Sequence, residues 1–154
     1  MKTGGRAIGG VIMALLAGCG TMKSAPDRAS VPAPDPAEWQ EEFGLAGRSL
    51  GPTGRNSFFI LEPGYQATLS AGDETLAITV LDETVKIGGV TARVVEEREW
   101  KRGKLVEVSR NFFAIDSKTK DVFYFGEEVD DYKNGKIAGH GGAWRADQAG
   151  ARPG

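Results

Sequence analysis

Beyond Ser57 the apolar positions recur with a period of two. Leu76, Ile78 and Val80 share one side of a run over Thr75–Leu81, and Val90, Ala92 and Val94 alternate with Thr91 and Arg93 over Val90–Trp100. Over Lys104–Ile115, Val106, Val108, Phe112 and Ala114 stand opposite Leu105, Phe113 and Ile115; over Asp121–Gly126, Val122, Phe123, Tyr124 and Phe125 are apolar on both sides. Valine, isoleucine and aromatic residues in alternation predict strands, because successive side chains leave a pleated sheet on opposite faces. Turn dipeptides separate the runs: Pro63-Gly64, Gly72-Asp73, Gly88-Gly89, Arg102-Gly103 and Asn134-Gly135. Asn134-Gly135 is the clearest hairpin, since a type I′ turn needs positive φ at both central residues. Gaps this short imply antiparallel neighbours, because parallel pairing needs crossovers of a dozen residues or more. The predicted fold is mainly β: a single antiparallel meander, curved into a half-barrel or open-barrel-like sheet. Its two central strands, about eleven residues each, would run roughly 37 Å.

Ahead of the strands the pattern differs. Asp35-Pro36-Ala37-Glu38 has the form of a helix start, with a carboxylate cap, a proline in the first turn and a glutamate three residues on. Trp39 and Phe43 then fall on one face and Gly44 closes the element, which predicts one short N-terminal helix laid on the domain by its aromatic side. Gly47 to Asn56 reads as loop, and no helix is predicted after Gly44. From Gly20 to Ala37 there is no apolar period, and Pro26, Pro32, Pro34 and Pro36 favour extended conformations. At about 3.1 Å per residue this stretch would reach roughly 50 Å, a tether rather than a domain.

The first residues have a different logic. Lys2 and Arg6 precede an uncharged, mostly apolar run from Ala7 to Leu16. It is far short of the roughly 20 residues that span a bilayer, and it fits the core of a secretion signal. The run closes on Leu16-Ala17-Gly18-Cys19, which resembles the lipobox of bacterial lipoproteins. The resemblance implies that the Cys19 thiol is alkylated by a diacylglyceryl group and becomes the new N-terminus. Cys19 is the one cysteine in the chain; in an exported protein acylation would consume a thiol otherwise left unpaired. Two or three acyl chains hold firmly, at about 0.8 kcal/mol per buried methylene. Gly20, where the resemblance would place aspartate for inner-membrane retention, favours the outer membrane, facing the periplasm. The expected organisation is signal peptide over 1–18, lipid anchor and tether over 19–37, β domain over 38–146 and disordered tail over 147–154.

Charge narrows the partners. Loss of Lys2 and Arg6 leaves 17 basic against 21 acidic residues, a formal net of −4. No basic stripe is present, so nucleic acid is not expected as a partner. With no second cysteine there is no intrachain disulfide, and the fold must rest on its core.

Several motifs invite chemistry. Gly47-Arg48-Ser49-Leu50-Gly51 matches the Gly-x-Ser-x-Gly elbow of serine hydrolases, and Gly139-His140-Gly141-Gly142 resembles an esterase oxyanion loop. An elbow needs a strand before its serine and a helix after it, and Gly51, Pro52 and Gly54 do not start a helix. One histidine would also have to fill two roles, and 22 glycines make accidental matches common. Glu127, Glu128, Asp130 and Asp131, near Asp116 and Asp121, lack the ligand spacing of a calcium loop and read as a solvated edge that discourages strand addition. Glu97 and Glu99, about 7 Å apart on one strand face, read with Glu96 as solvent contacts near a hairpin tip rather than an acid–base pair. Trp100, His140 and Trp144 remain as weak candidates for a binding site. No metal and no cofactor is expected.

The order of motifs from Asn56 onward resembles a family of secreted bacterial β-rich proteins of unassigned activity. The matching residues are Asn56-x-x-Phe59-x-Leu61-x-Pro63-Gly64, Thr79-Val80-Leu81-Asp82-Glu83-Thr84, Gly89-Val90 and Gly103-x-Leu105-Val106-Glu107. They continue with Val122-x-Tyr124-Phe125-Gly126-Glu127, Gly142-Ala143-Trp144 and Gly150-Ala151-x-Pro153-Gly154. The resemblance implies an antiparallel β domain outside the cytoplasm and supplies no catalytic residue. Similar proteins continue into a second β half, so an exposed strand edge is expected here, open to an envelope protein or to self-association. The expected function is a non-catalytic binding or structural module held to the cell envelope through acylated Cys19. The alternative is a carrier or chaperone for lipid or another apolar ligand on the concave sheet face, and a hydrolase comes third.

Overall fold

The structure, a computed structural model, describes residues 43–154. The expected signal segment, Cys19, the expected tether and residues 35–42 of the expected helix lie outside the described residues; Phe43, the first of those described, is exposed and not helical. In chain order the strands are β1 (Leu50–Gly51), β2 (Gly54–Arg55), β3 (Ile60–Leu61), β4 (Gln66–Ala71), β5 (Glu74–Ile87), β6 (Val90–Lys101), β7 (Lys104–Asp116), β8 (Val122–Lys133), β9 (Lys136–Gly139) and β10 (Trp144–Arg145). Strands β4 to β8 form an antiparallel meander, in which each pairs with the next. Both β9 and β10 add to the outer side of β8, β1 pairs with the end of β7, and β2 with β3 forms a separate two-stranded sheet. The sheet is open, and no helix occurs among the described residues.

The predicted hairpins close as the sequence requires. Asn134 and Gly135 have φ of 54° and 76°, and Arg102 and Gly103 have 51° and 69°, the double positive φ of type I′ turns whose twist matches the flanking strands. Strands run further than periodicity indicated. β5 continues from Leu81 to Ile87 past a register break between Val80 and Thr84, and β8 continues through Glu127–Lys133. Such breaks bend a strand and increase its twist.

Two differences concern segments read as irregular. Gly47–Asn56 is not all loop: it holds β1 and β2, pinned when the buried Arg93 guanidinium donates to Pro52 O at 2.9 Å and Thr53 Oγ1 at 3.0 Å. The tail is not loose either. Tyr124 N–H donates to Gly154 O at 2.7 Å and Gly154 N–H to Tyr124 O at 3.1 Å, so the last residue extends the covering of β8.

Cross-strand register divides the sheet into two faces. On one, Ile87, Ala92, Val94, Phe112, Ala114, Phe123 and Phe125 are buried beneath Leu45, Leu50, Leu81 and Val85. On the other, Leu61 from β3 closes over Val80, Val95 and Ile115, with Phe59, Phe113 and Val122 beside them. Both cores sit at the end of the sheet bearing β1–β3. Val122–Phe125 is apolar on both sides because each face there has its own core. The opposite end of the sheet, carrying the β4–β5, β6–β7 and β8–β9 turns, has far fewer buried residues.

Candidate functional site

On the face closed by Leu61 the apolar cover ends at a row of rings. Phe59 and Phe113 have centroids 4.9 Å apart, Phe113 and Tyr124 stack at 4.8 Å, and Trp144 meets Tyr124 edge-on at 5.2 Å. Trp144 stands there because β10 pairs it with Glu127, and this register needs a glycine next to it. Gly126 has φ +131°, and a Cβ on it would run into Trp144 O and come within 2.9 Å of Arg145 Cα.

Past the rings the same face turns polar, one cross-strand row at a time. The first row is Val95, Asn111 and Glu127; the next is Ile78, Glu97, Ser109 and Val129; the third is Leu76, Glu99, Glu107 and Asp131. Asn111 and Ser109 are buried and satisfied: Tyr124 Oη donates to Asn111 Oδ1 at 2.7 Å, and Asn111 Nδ2 donates to Ser109 Oγ at 3.1 Å. Five carboxylates thus share one face. In the third row Glu99 lies directly opposite Glu107, and Glu107 directly opposite Asp131. Like charges in register repel; Asp131 is partly drawn aside, its Oδ2 accepting the Gly141 N–H at 2.8 Å, and Glu99 is exposed.

Burial first, and this crowding second, set the electrostatics. Burial pushes the Glu97 carboxyl above its ordinary range, and the charges of Glu99 and Glu127 push the same way. Glu107 is raised first by burial, then by Glu99 and Asp131. Burial followed by the charge of Glu127 also raises the Tyr124 phenol, which stays protonated and able to donate. The arginines of these strands do not relieve the rows. Arg98 and Arg110 fall on the opposite face, where both hold Glu96 at 2.7 and 3.3 Å. Lys101, one row further out, is taken by Glu74 at 2.6 Å.

Of the residues singled out from sequence, Glu97 and Glu99 belong to this face and Glu96 does not. Trp144 sits on its rim, whereas Trp100 is half-buried on the opposite face, across from Thr75 and Leu105. His140 is bound at the outer edge of β8. Its Nδ1 lies 2.8 Å from Val129 O and 3.0 Å from Asp130 Oδ1, both acceptors, so Nδ1 carries the proton. It borders a shallow depression of about 280 Å³ with Arg110, Glu128, Val129, Asp130 and Ala143. The three weak candidates are therefore not brought together. Glu127 and Asp131, read from sequence as a solvated edge, belong to this face as well; Glu107, Ser109 and Asn111 were not singled out, and the available signal was their alternation along β7.

The hydrolase elements stay apart. Ser49 is exposed in the loop before the two-residue β1, with no helix after it. Leu50 pairs with Asp116, whereas Val129, bound by His140, pairs with Ser109. Seven residues along β7 separate those positions, roughly 24 Å of strand. Asp116 and Asp121 serve the β7–β8 turn: Lys118 and Thr119 N–H donate to Asp116 Oδ1, and Arg48 Nη1 lies 2.8 Å from Asp121 Oδ2. Among the described residues no three His, Cys, Asp or Glu side chains converge on a possible metal position. No helix of the described residues is long and apolar enough to cross a membrane. Comparison with protein-family models, curated proteins and solved structures found no match to this chain.

Proposed function

We propose that the protein is a lipid-anchored binding module of the cell envelope, non-catalytic, which receives a cationic partner on the carboxylate face of its sheet. The supporting observation is the in-register row Glu99, Glu107 and Asp131, backed by Glu97 and Glu127. A fold stabilised by its own contacts gains nothing from this repulsion, whereas a binding surface recovers it when positive groups arrive; local rules are broken where function requires it. The rings of Tyr124 and Trp144 border the carboxylates and suit the apolar stem of a lysine or arginine, or its charge against a ring face. The anchoring half of the reading rests on Leu16-Ala17-Gly18-Cys19 and the proline-rich stretch behind it, with Gly20 favouring the outer membrane facing the periplasm. The carrier reading is less favoured. The large side chains that would face an apolar cargo, Phe123 and Phe125, are consumed by the core, and the curvature of a half-barrel would have to be supplied by the register breaks.

Two measurements test the two halves separately. Full-length protein made in bacterial cells fed an alkyne fatty acid should take up label, and Cys19→Ala should take up none; label-free wild-type protein overturns the anchoring. In calorimetry a lysine-rich peptide should bind the protein with an affinity that falls as salt rises. Glu99→Gln/Glu107→Gln should weaken that binding about tenfold or more, the equivalent of roughly 1.4 kcal/mol. Binding that is unaffected by the double substitution, or no binding at low salt, overturns the assignment of the face.

A further inference from the structure

The edges of the described sheet are treated unequally. The outer side of β8 is closed by four successive contacts: β9 at Asp131–Lys133, His140 at Val129, β10 at Gly126 and Glu127, and Gly154 at Tyr124. The stretch of β5 beyond Val80 has a register break together with Asp82, Glu83 and Lys86. Such charges and irregularities keep an edge from accepting another strand. β4 has neither device. Its six residues, Gln66-Ala67-Thr68-Leu69-Ser70-Ala71, hold no charge and no proline, Leu69 is 56% exposed, and no described strand lies on its outer side. Ala71 and Glu74 flank a two-residue turn and are therefore a hydrogen-bonded pair, which by alternation makes Leu69 and Ala67 bonded as well. The N–H and C=O groups of Gln66, Thr68 and Ser70 then point away from the sheet.

We propose that β4 pairs antiparallel with β4 of a second copy of this chain, across a two-fold axis at Leu69. The sequence of the strand is suited to itself. That axis sets Thr68 opposite the partner's Ser70, at positions whose free backbone groups bond. It also sets Leu69 beside the partner's Leu69, at a non-bonded position where side chains approach most closely. Antiparallel pairing across a perpendicular two-fold keeps each face continuous, so Ala67 meets the partner's Ala71 on the same side as the leucines. Charge does not oppose the contact despite the chain's formal net of −2. The nearest charges are already paired, Arg102 with Asp73 at 2.7 Å and Lys101 with Glu74 at 2.6 Å, so the margin met by the second copy is neutral. A six-residue junction buries less than the roughly 1,600 Å² of a standard interface, so the pairing is weak in free solution. On a bilayer, confinement of tethered copies raises their effective concentration. That last step alone rests on the anchoring proposed above; the strand pairing does not.

The test uses the full chain in bacterial cells, oxidised mildly and separated without reductant. Leu69→Cys should give a disulfide-linked dimer, because non-bonded pairs place Cα atoms about 4.5 Å apart, inside disulfide range. Wild-type chain, whose one thiol is Cys19, sets the background, and Ile137→Cys, exposed on β9, is the control for chance collision. The Leu69→Cys dimer should exceed both by about tenfold and be lost when Thr68→Lys places a charge on the edge. Thr68→Lys should leave the thermal midpoint unchanged, showing that the protein still folds. A Leu69→Cys signal no greater than that of Ile137→Cys overturns the pairing, whether the edge lies open or is taken by another segment of the chain. A dimer that survives Thr68→Lys overturns it too.

Discussion

Glu97 shows how one side chain carries the cost of the carboxylate face. Its pKa in the folded chain is raised by burial, Glu99 and Glu127, while the unfolded chain keeps the ordinary 4.5. Between those two values the folded state binds more protons, so stability decreases as pH rises through the window and recovers as pH falls toward 4.5. Glu107 contributes with the same sign. Asp116 has the opposite sign: hydrogen bonds from Lys118, Thr119 and Ser49 hold it below 3.8, and its stabilisation, present at higher pH, is lost as pH falls through that lowered value. The thermal midpoint should therefore rise as pH falls toward 4.5 and drop again once pH falls below 3.8. Glu97→Gln should raise the midpoint at pH 7 and flatten its dependence on pH above 4.5, as followed by calorimetry. A midpoint indifferent to this substitution at pH 7 would show that the carboxylate is already relieved by solvent. Phe58 marks the other extreme. It is 98% exposed, held outward while Asn56 Oδ1 accepts the N–H groups of Phe58 and Phe59, and it supports neither core.

At the scale of elements, β10 depends on a single glycine. Gly126→Ala would place a methyl group against Trp144 O in a conformation that L side chains avoid. The expected result is loss of about 2–4 kcal/mol in urea unfolding and exposure of Trp144 seen by fluorescence. If Trp144 keeps its emission and stability is unchanged, β10 does not need that close approach. The long strands were legible because one face of each is apolar at every second position, as at Val90, Ala92 and Val94. β4 was not, since Gln66-Ala-Thr-Leu-Ser-Ala71 has one β-branched residue, Thr68, and no aromatic, and is specified by its partner β5 across a two-residue turn. β1, β2 and β10 are two residues each, too short for any period to appear. The candidate site was half legible. Glu97 and Glu99 could be placed on one face from their spacing, but joining them to Glu107, Glu127 and Asp131 required inter-strand register, which depends on turn type and on breaks such as that between Asn111 and Phe113.

For the whole molecule, the meander gives assembly an order. β4 to β8 are joined largely by two-residue turns, so each strand finds its partner by closing a very short loop, on the scale of microseconds. Contacts made by residues 50–56 are of another kind: Leu50 reaches Asp116, and Asn56 Nδ2 reaches Lys120 O, across more than sixty residues of chain. Loop closure over such separations is slower, so the sheet should zip first, with Leu61 and the buried Arg93 docking β1–β3 onto it afterwards. Stopped-flow refolding should show Val94→Ala, in the β6–β7 hairpin, slowing folding, whereas Leu61→Ala chiefly speeds unfolding. The reverse pattern would mean that the clasp at residues 50–61 forms the nucleus and the meander grows from it.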